Sequence, residues 1–165
     1  MTTRRAIAAA VLVATLGAAC STPATEPQSA RQSEVAEKGR SVMPFDLEKT
    51  THRFTPRPDG LLQEVVADVP GDMAQIGPIR THLTEESTRF RSGDFTDPAS
   101  IHGGTMPGLT ELTAGAPRIT IDYAELPDGA SLSFHTNDPA LITALHAWGE
   151  AQVSDHGEHA EHGNR

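Results

Sequence analysis

An α+β domain is the fold class this sequence predicts, and three features point there. Two pairs of β-branched or alternating segments close on tight turn signals, Arg57-Pro58-Asp59-Gly60 and Pro127-Asp128-Gly129. Each pair is followed by a stretch whose apolar residues recur at helical spacing. The order hairpin, helix, loop, hairpin, helix then predicts a four-stranded antiparallel sheet with two helices on one face, in ββαββα order. The two halves share this layout without enough residue identity to call a repeat.

The chain has 165 residues, and the first 19 stand apart from the domain. Arg4-Arg5 makes a charged start, residues 6–16 are Ala, Ile, Val, Leu and Thr with no charge, and Gly17-Ala18-Ala19 are small. Such a run is too short to span a bilayer and predicts a cleaved signal peptide. With Cys20 directly after the small residues, the stretch resembles a bacterial lipoprotein signal and its lipobox. That resemblance implies lipidation of Cys20, a membrane anchor and an extracytoplasmic address in the cell envelope. Thr3-Arg4-Arg5 also resembles a twin-arginine signal, so the export route stays open.

Cys20 is the only cysteine. Once it is lipidated no thiol remains, which excludes disulfides, thiolate metal sites and a Cys nucleophile. The formal charge is −9, and −11 without residues 1–19, which carry Arg4 and Arg5. An acidic chain argues against nucleic acid as a partner and is compatible with cations.

Residues 20–42 are mostly Ser, Thr, Pro, Gln, Glu and Ala with few bulky apolar side chains, and predict a flexible tether. Glu34 to Arg40 carries the charges of a helical turn. The domain is expected over residues 43–155. Thr51-His52-Arg53-Phe54-Thr55 and Leu61-Leu62-Gln63-Glu64-Val65-Val66-Ala67 give the first hairpin. Asp72 is an N-cap for a helix with Met73, Ile76, Ile79, Leu83 and Phe90 on one face, interrupted by Pro78 and ended by Gly93. A Gly- and Pro-rich loop, residues 101–109, lies between the halves. Arg118-Ile119-Thr120-Ile121-Asp122-Tyr123 and Ser131-Leu132-Ser133-Phe134-His135-Thr136 form the second hairpin. Asp138-Pro139 opens a helix with Leu141, Ile142, Leu145 and Trp148 on its apolar face. Residues 156–165 predict a disordered tail rich in His and Glu.

The candidate chemistry lies in eight histidines. In the loop Ile101-His102-Gly103-Gly104-Thr105-Met106, imidazole and thioether are donors that suit copper, and the glycines allow both to converge. The bland alternative is that Met106 packs the loop while His102 caps a carbonyl. His82 and His146 each sit beside the apolar stripe of a helix and are candidate partner ligands; the alternative is a boundary imidazole with a hydrogen bond. His52 and His135 are assigned ordinary strand positions. His156, His159 and His162 form a tract that binds metal loosely by composition. The functional expectation is a lipid-anchored domain that binds a transition metal, copper before zinc, for buffering or delivery. The alternative is a non-catalytic module that docks an envelope protein partner.

Ser87-Thr88-Arg89-Phe90-Arg91 resembles the Ser-Thr-Arg-Thr-Arg carbamoyl-phosphate motif of aspartate and ornithine carbamoyltransferases, with one mismatch. That motif works at a helix N-terminus; here it falls near a helix end, in a chain far shorter than those enzymes, so the activity is rejected. The domain also resembles a group of small bacterial exported proteins, through Met43-Pro44-Phe45-Asp46-Leu47, Gly93-Asp94-Phe95, Ile101-His102-Gly103, Met106-Pro107-Gly108-Leu109 and Asp155-His156-Gly157. Some of these carry the name aspartate carbamoyltransferase, and the resemblance implies no established activity. There is no Gly-x-Ser-x-Gly elbow, and Asp94, Asp97 and His102 lack a nucleophile to serve, so an enzyme is not expected.

Overall fold

A computed structural model describes residues 30–163. The signal-peptide reading and Cys20 lie outside the described residues. Strands β1 (Thr50–Arg57) and β2 (Gly60–Ala67) form the first hairpin, with Arg57 opposite Gly60 around Pro58-Asp59. Helix α2 (Met73–Arg91) follows; the Asp72 carboxylate accepts from the Ala74 amide and caps it. The helix runs through Pro78 and ends at Ser92 and Gly93, where φ of +81° lets the Gly93 amide turn back to the Phe90 carbonyl.

Two short helices, α3 (Thr96–His102) and α4 (Leu109–Gly115), frame the central loop. Gly108 between them has φ of +79°, and a Cβ there would lie 2.2 Å from the Ala144 carbonyl oxygen. The loop therefore meets the later helix backbone to backbone, which only glycine permits. Strands β3 (Thr120–Leu126) and β4 (Gly129–His135) make the second hairpin, and α5 (Pro139–His156) follows under its Asp138 cap.

The expected four-stranded antiparallel sheet with two helices is corrected here. Among the described residues the sheet has five strands in the order β3-β4-β2-β1-β5 and is mixed, and there are five α-helices. The fifth strand, β5 (Ala160–His162), pairs in parallel with residues 52–54 of β1. It arises in the stretch read from sequence as a disordered tail. Three residues carry no alternation pattern; what holds them is the free hydrogen-bonding edge of β1, extended by the Gly163 amide donating to the Phe54 carbonyl. The stretch read as a tether holds helix α1 (Ala30–Val42), which buries Val35, Ala36 and Gly39. Its first turn is tied to the end of α5, where Gln32 donates to the Ser154 carbonyl.

The two halves exchange partners. Helix α2 packs over β4 and β3, and α5 over β1 and β2. One core results, centred on Trp148, with Phe54, Phe90, Phe95 and Phe134 set edge-on at ring separations of 5.7 to 6.4 Å. Among the described residues no helix is long and apolar enough to cross a membrane.

Candidate functional site

On one side of Trp148 the apolar core gives way to a largely enclosed cavity of about 30 Å³. His52, Gln63, His82, Glu86, Asp97, His102 and Gln152 reach it, with the Trp148 indole among the apolar walls. β1 delivers His52 in phase with Phe54, so both side chains face inward. α2 delivers His82 and Glu86, four residues apart on one face. His102 is the last residue of α3, and Gln152 comes from the last turns of α5.

Three buried polar atoms have no partner among the described residues: His52 Nδ1, Gln63 Oε1 and Trp148 Nε1. All three residues line this cavity. Unpaired buried polar atoms cost about 1–3 kcal/mol each, so a cluster of three marks a place built to hold something polar. The volume accommodates about two waters, or one ion with a water, on the measure of about 10–15 Å³ per site.

The imidazoles are oriented from behind. His102 Nδ1 lies 2.8 Å from the Asp155 carboxylate. Asp155 is itself gripped by Arg31, whose Nη2 and Nε reach its two oxygens at 2.6 and 3.1 Å. Burial raises the Asp155 carboxyl, but the hydrogen bonds from Arg31 and His102 outweigh it and hold the group below its usual range. Gln152 also hydrogen-bonds the His102 ring. The His52 ring bonds to the backbone of His159, which leaves Nδ1 as the unpartnered nitrogen. His156 stands behind the pair, stacked parallel on His52 at 5.5 Å and edge-on to His102 at 4.9 Å. Phe45 contacts both His52 and His82, with ring distances of 5.9 and 5.8 Å.

These rings are held neutral. Burial, then the neighbouring His82, pushes His52 down to about 4. Burial also lowers His82, against the pull of Asp97, and His102, against that of Asp155. Burial and the His52 ring lower His156. Glu86 moves the other way: burial, then the Asp97 carboxylate, pushes it up to about 8, against the Arg89 guanidinium. The cavity at neutral pH therefore presents uncharged imidazoles and a protonated carboxyl.

The sequence-predicted residues divide. His82 and His102 line the cavity together. Met106 is buried in the apolar core and borders an outer groove that also touches His102. His146 is elsewhere, with Nε2 between the Arg57 and Gly60 carbonyls at 3.0 and 2.9 Å. His156 and His159 are buried rather than part of a loose tract, and His162 is exposed, 3.6 Å from Glu150. Arg89 of the Ser-Thr-Arg-Phe-Arg motif is paired with Asp94 and Asp97, and Arg91 donates to the Ile121 carbonyl.

Sequence reasoning assigned His52 an ordinary strand position and passed over Glu86 and Asp155. His52 and Phe54 at i, i+2 and His82 and Glu86 at i, i+4 were visible signals of shared faces. Nothing local announces the pairing of His102 with Asp155. Among the described residues no three His, Cys, Asp or Glu side chains already stand where one ion would need them. The site is a lined cavity, not a finished coordination sphere. Comparison with family models, curated proteins and solved structures returned no match.

Proposed function

We propose that this protein binds a transition-metal ion, copper before zinc, in the cavity between His52, His82 and His102. The observation that carries this reading is the arrangement behind two of the rings. His102 gives Nδ1 to a carboxylate, with Gln152 as a second partner that an ion would have to displace, and His52 gives one nitrogen to a backbone group, and both rings line one cavity. Metal-ligating imidazoles are held in this way: the outer partner fixes the tautomer and the ring angle, and strengthens the inner nitrogen as a donor. Three imidazoles suit copper and zinc, and copper(II) is the stronger binder to such donors. His82 and Glu86 line the same cavity and are the further donors within it. Trp148 Nε1 and Gln63 Oε1 are placed to hydrogen-bond a water on the ion. No reacting substrate fits in about 30 Å³, so the role is storage or transfer of the ion without turnover. With Cys20 lipidated, the domain would do this at the membrane surface of the cell envelope.

The test is calorimetric titration of residues 20–165 carrying Cys20→Ser with Cu(II) and Zn(II). The C-terminal segment stays, because His156, His159 and β5 belong to the fold. One site per chain is expected, and the His52→Ala, His102→Ala double variant should lose it by a factor of about 100 or more, on the scale of two lost ligands. Equal affinity in the double variant would sink the assignment.

An ordered water is the second reading, and a specific observation favours it. Two acceptors and one donor stand unpartnered, the complement of a single water molecule. No metal binding by the intact chain would leave that water as the occupant, and a docking module as the better account of the protein.

A further inference from the structure

The sheet has two edges, and they are finished differently. The edge of β1 is covered by β5, a strand of three residues. At the other edge stands β3, seven residues long, with no strand beyond it among the described residues. A long edge strand carries a row of amides and carbonyls ready to add another strand. Leu126 and Gly129 close the β3–β4 turn, and hydrogen-bonded pairs then alternate along the ladder. Ile121, Tyr123 and Glu125 are the residues whose backbone groups face outward.

A guanidinium occupies this row. Arg91, the last residue of α2, donates Nε and Nη2 to the Ile121 carbonyl at 2.9 and 2.6 Å. Its Nη1 donates to the Ser87 hydroxyl at 3.2 Å, one turn back on the same helix, and Ser87 is buried. The Ser-Thr-Arg-Phe-Arg stretch thus has a use unrelated to phosphate: its first and last residues set a two-pronged donor on the sheet edge. Arg80 ties down the far end of the strand, with Nη2 on the Leu126 carbonyl at 2.6 Å.

We propose that β3 is a strand-addition surface for a second copy of this chain, and that Arg91 is the stopper that keeps it closed. The register names the partner. Two antiparallel β3 strands that meet at Tyr123 pair all seven residues. Asp122 then falls opposite Ala124, Glu125 opposite Ile121 and Thr120 opposite Leu126. No acid faces an acid, so side-chain charge does not forbid the pairing. The obstacle lies at the backbone. The Glu125 amide of an incoming copy must bond the Ile121 carbonyl, which Arg91 already holds through two N–H groups. Two-fold symmetry makes the same block act twice in each pair. The proposal does not depend on what fills the cavity.

Sedimentation velocity of residues 20–165 (Cys20→Ser) over a concentration series reads association. Hydrogen exchange at the Tyr123 and Glu125 amides reads where it occurs. The parent chain should be monomeric, with both amides exchanging fast. Arg91→Ala should dimerise and protect both amides, with a dissociation constant lower by about tenfold or more, the factor one charge-assisted hydrogen bond supplies. Ser87→Ala removes the anchor of Nη1 and leaves Arg91 in place, so it should shift association the same way by a smaller factor. Adding Glu125→Pro to Arg91→Ala should restore the monomer, because proline deletes an outward amide at an edge position that tolerates it. Arg40→Ala makes the same change of net charge on α1, where Arg40 pairs with Glu48, and should leave the chain monomeric. A folded Arg91→Ala chain that stays monomeric with both amides unprotected overturns the stopper, as does a parent chain already paired through β3. If Arg91→Ala does not fold, an unshifted Ser87→Ala has the same force. Dimers of Arg91→Ala that leave the two amides unprotected, or that persist with Glu125→Pro, overturn β3 as the surface.

Discussion

Trp148 divides the interior into two regions that obey different rules. On one side Phe95 and Phe134 pack on the indole ring, joined by Phe54 and Phe90, which also form part of the cavity wall, and all four are fully or nearly fully buried. On the other, across the indole N–H, lies a cavity with three unsatisfied polar atoms, buried imidazoles and a carboxyl held protonated. The first region has what a stable core needs. The second has what a stable core avoids: cavities and unpaired polar atoms each lower stability. Keeping both against one side chain teaches that the wet side is not there for stability. An apolar residue at His52 would fill the space better.

The sharpest way to break the comparison is to cut into the dry side. Phe134 is 0% exposed and contacts both Phe90 and Trp148. Phe134→Ala should lose about 3–5 kcal/mol, read by urea unfolding followed through Trp148. A loss under about 1 kcal/mol would mean that the aromatic cluster is not the centre of stability, and the division drawn here would fail.

The wet side should instead reveal itself through pH, with two slopes of opposite sign. His52 titrates at about 4 in the fold against 6.5 unfolded. Above pH 6.5 both states hold it neutral and stability is full. As pH falls from about 6.5 to about 4 the unfolded chain gains the proton first, and stability drops by up to about 1.4 kcal/mol per pH unit, or about 3 kcal/mol in all. Glu86, raised to about 8 from 4.5, acts in reverse. Its contribution is whole below pH 4.5 and is lost as pH climbs towards 8. Urea unfolding at intervals from pH 4 to 8 should therefore show stability falling at both ends. His52→Leu should flatten the acid limb, and Glu86→Gln should raise the alkaline limb by about 2 kcal/mol. Unchanged limbs in both variants would show that neither group titrates inside the cavity.

How much of this was legible follows the range of each interaction. Strands β1 to β4 were readable because period-two alternation and the Pro-Asp turns are local. Helices α2 and α5 were readable from Ile76, Ile79 and Leu83 and from Leu141, Leu145 and Trp148, again a local period. β5 was not, because Ala160-Glu161-His162 is defined by the strand edge it meets, not by its own pattern. α1 was legible only as a charged turn at Glu34 to Arg40 for a similar reason: it buries just two apolar side chains, Val35 and Ala36, and its anchor Arg31 finds Asp155 across 124 positions. The site was half legible. His82 and His102 were picked out for the helix and loop they occupy, yet their meeting with His52 depends on α2 crossing to the other hairpin, a tertiary fact.

His146 is the smallest test and the most instructive control, since by sequence it looked equal to His82. Both sit beside an apolar helical stripe, and both rings are drawn to a polar spot. The difference lies in what is left over. His146 directs Nε2 at two backbone carbonyls, from Arg57 and Gly60. Carbonyls only accept, so that nitrogen carries the proton and has no lone pair to offer a metal. It ties α5 to the turn of the first hairpin, and it lies in a groove with Pro56, Arg57 and Pro58, outside the cavity that His52 and His102 line. His146→Ala should then cost about 1–2 kcal/mol, one hydrogen bond with its partners left bare, and leave copper and zinc titrations unchanged. The paired result matters more than either part. A stability loss with intact binding separates an imidazole used for structure from those held in reserve around the cavity. Weakened binding with stability unaltered would place His146 among the ligands after all and dissolve the distinction between the two regions.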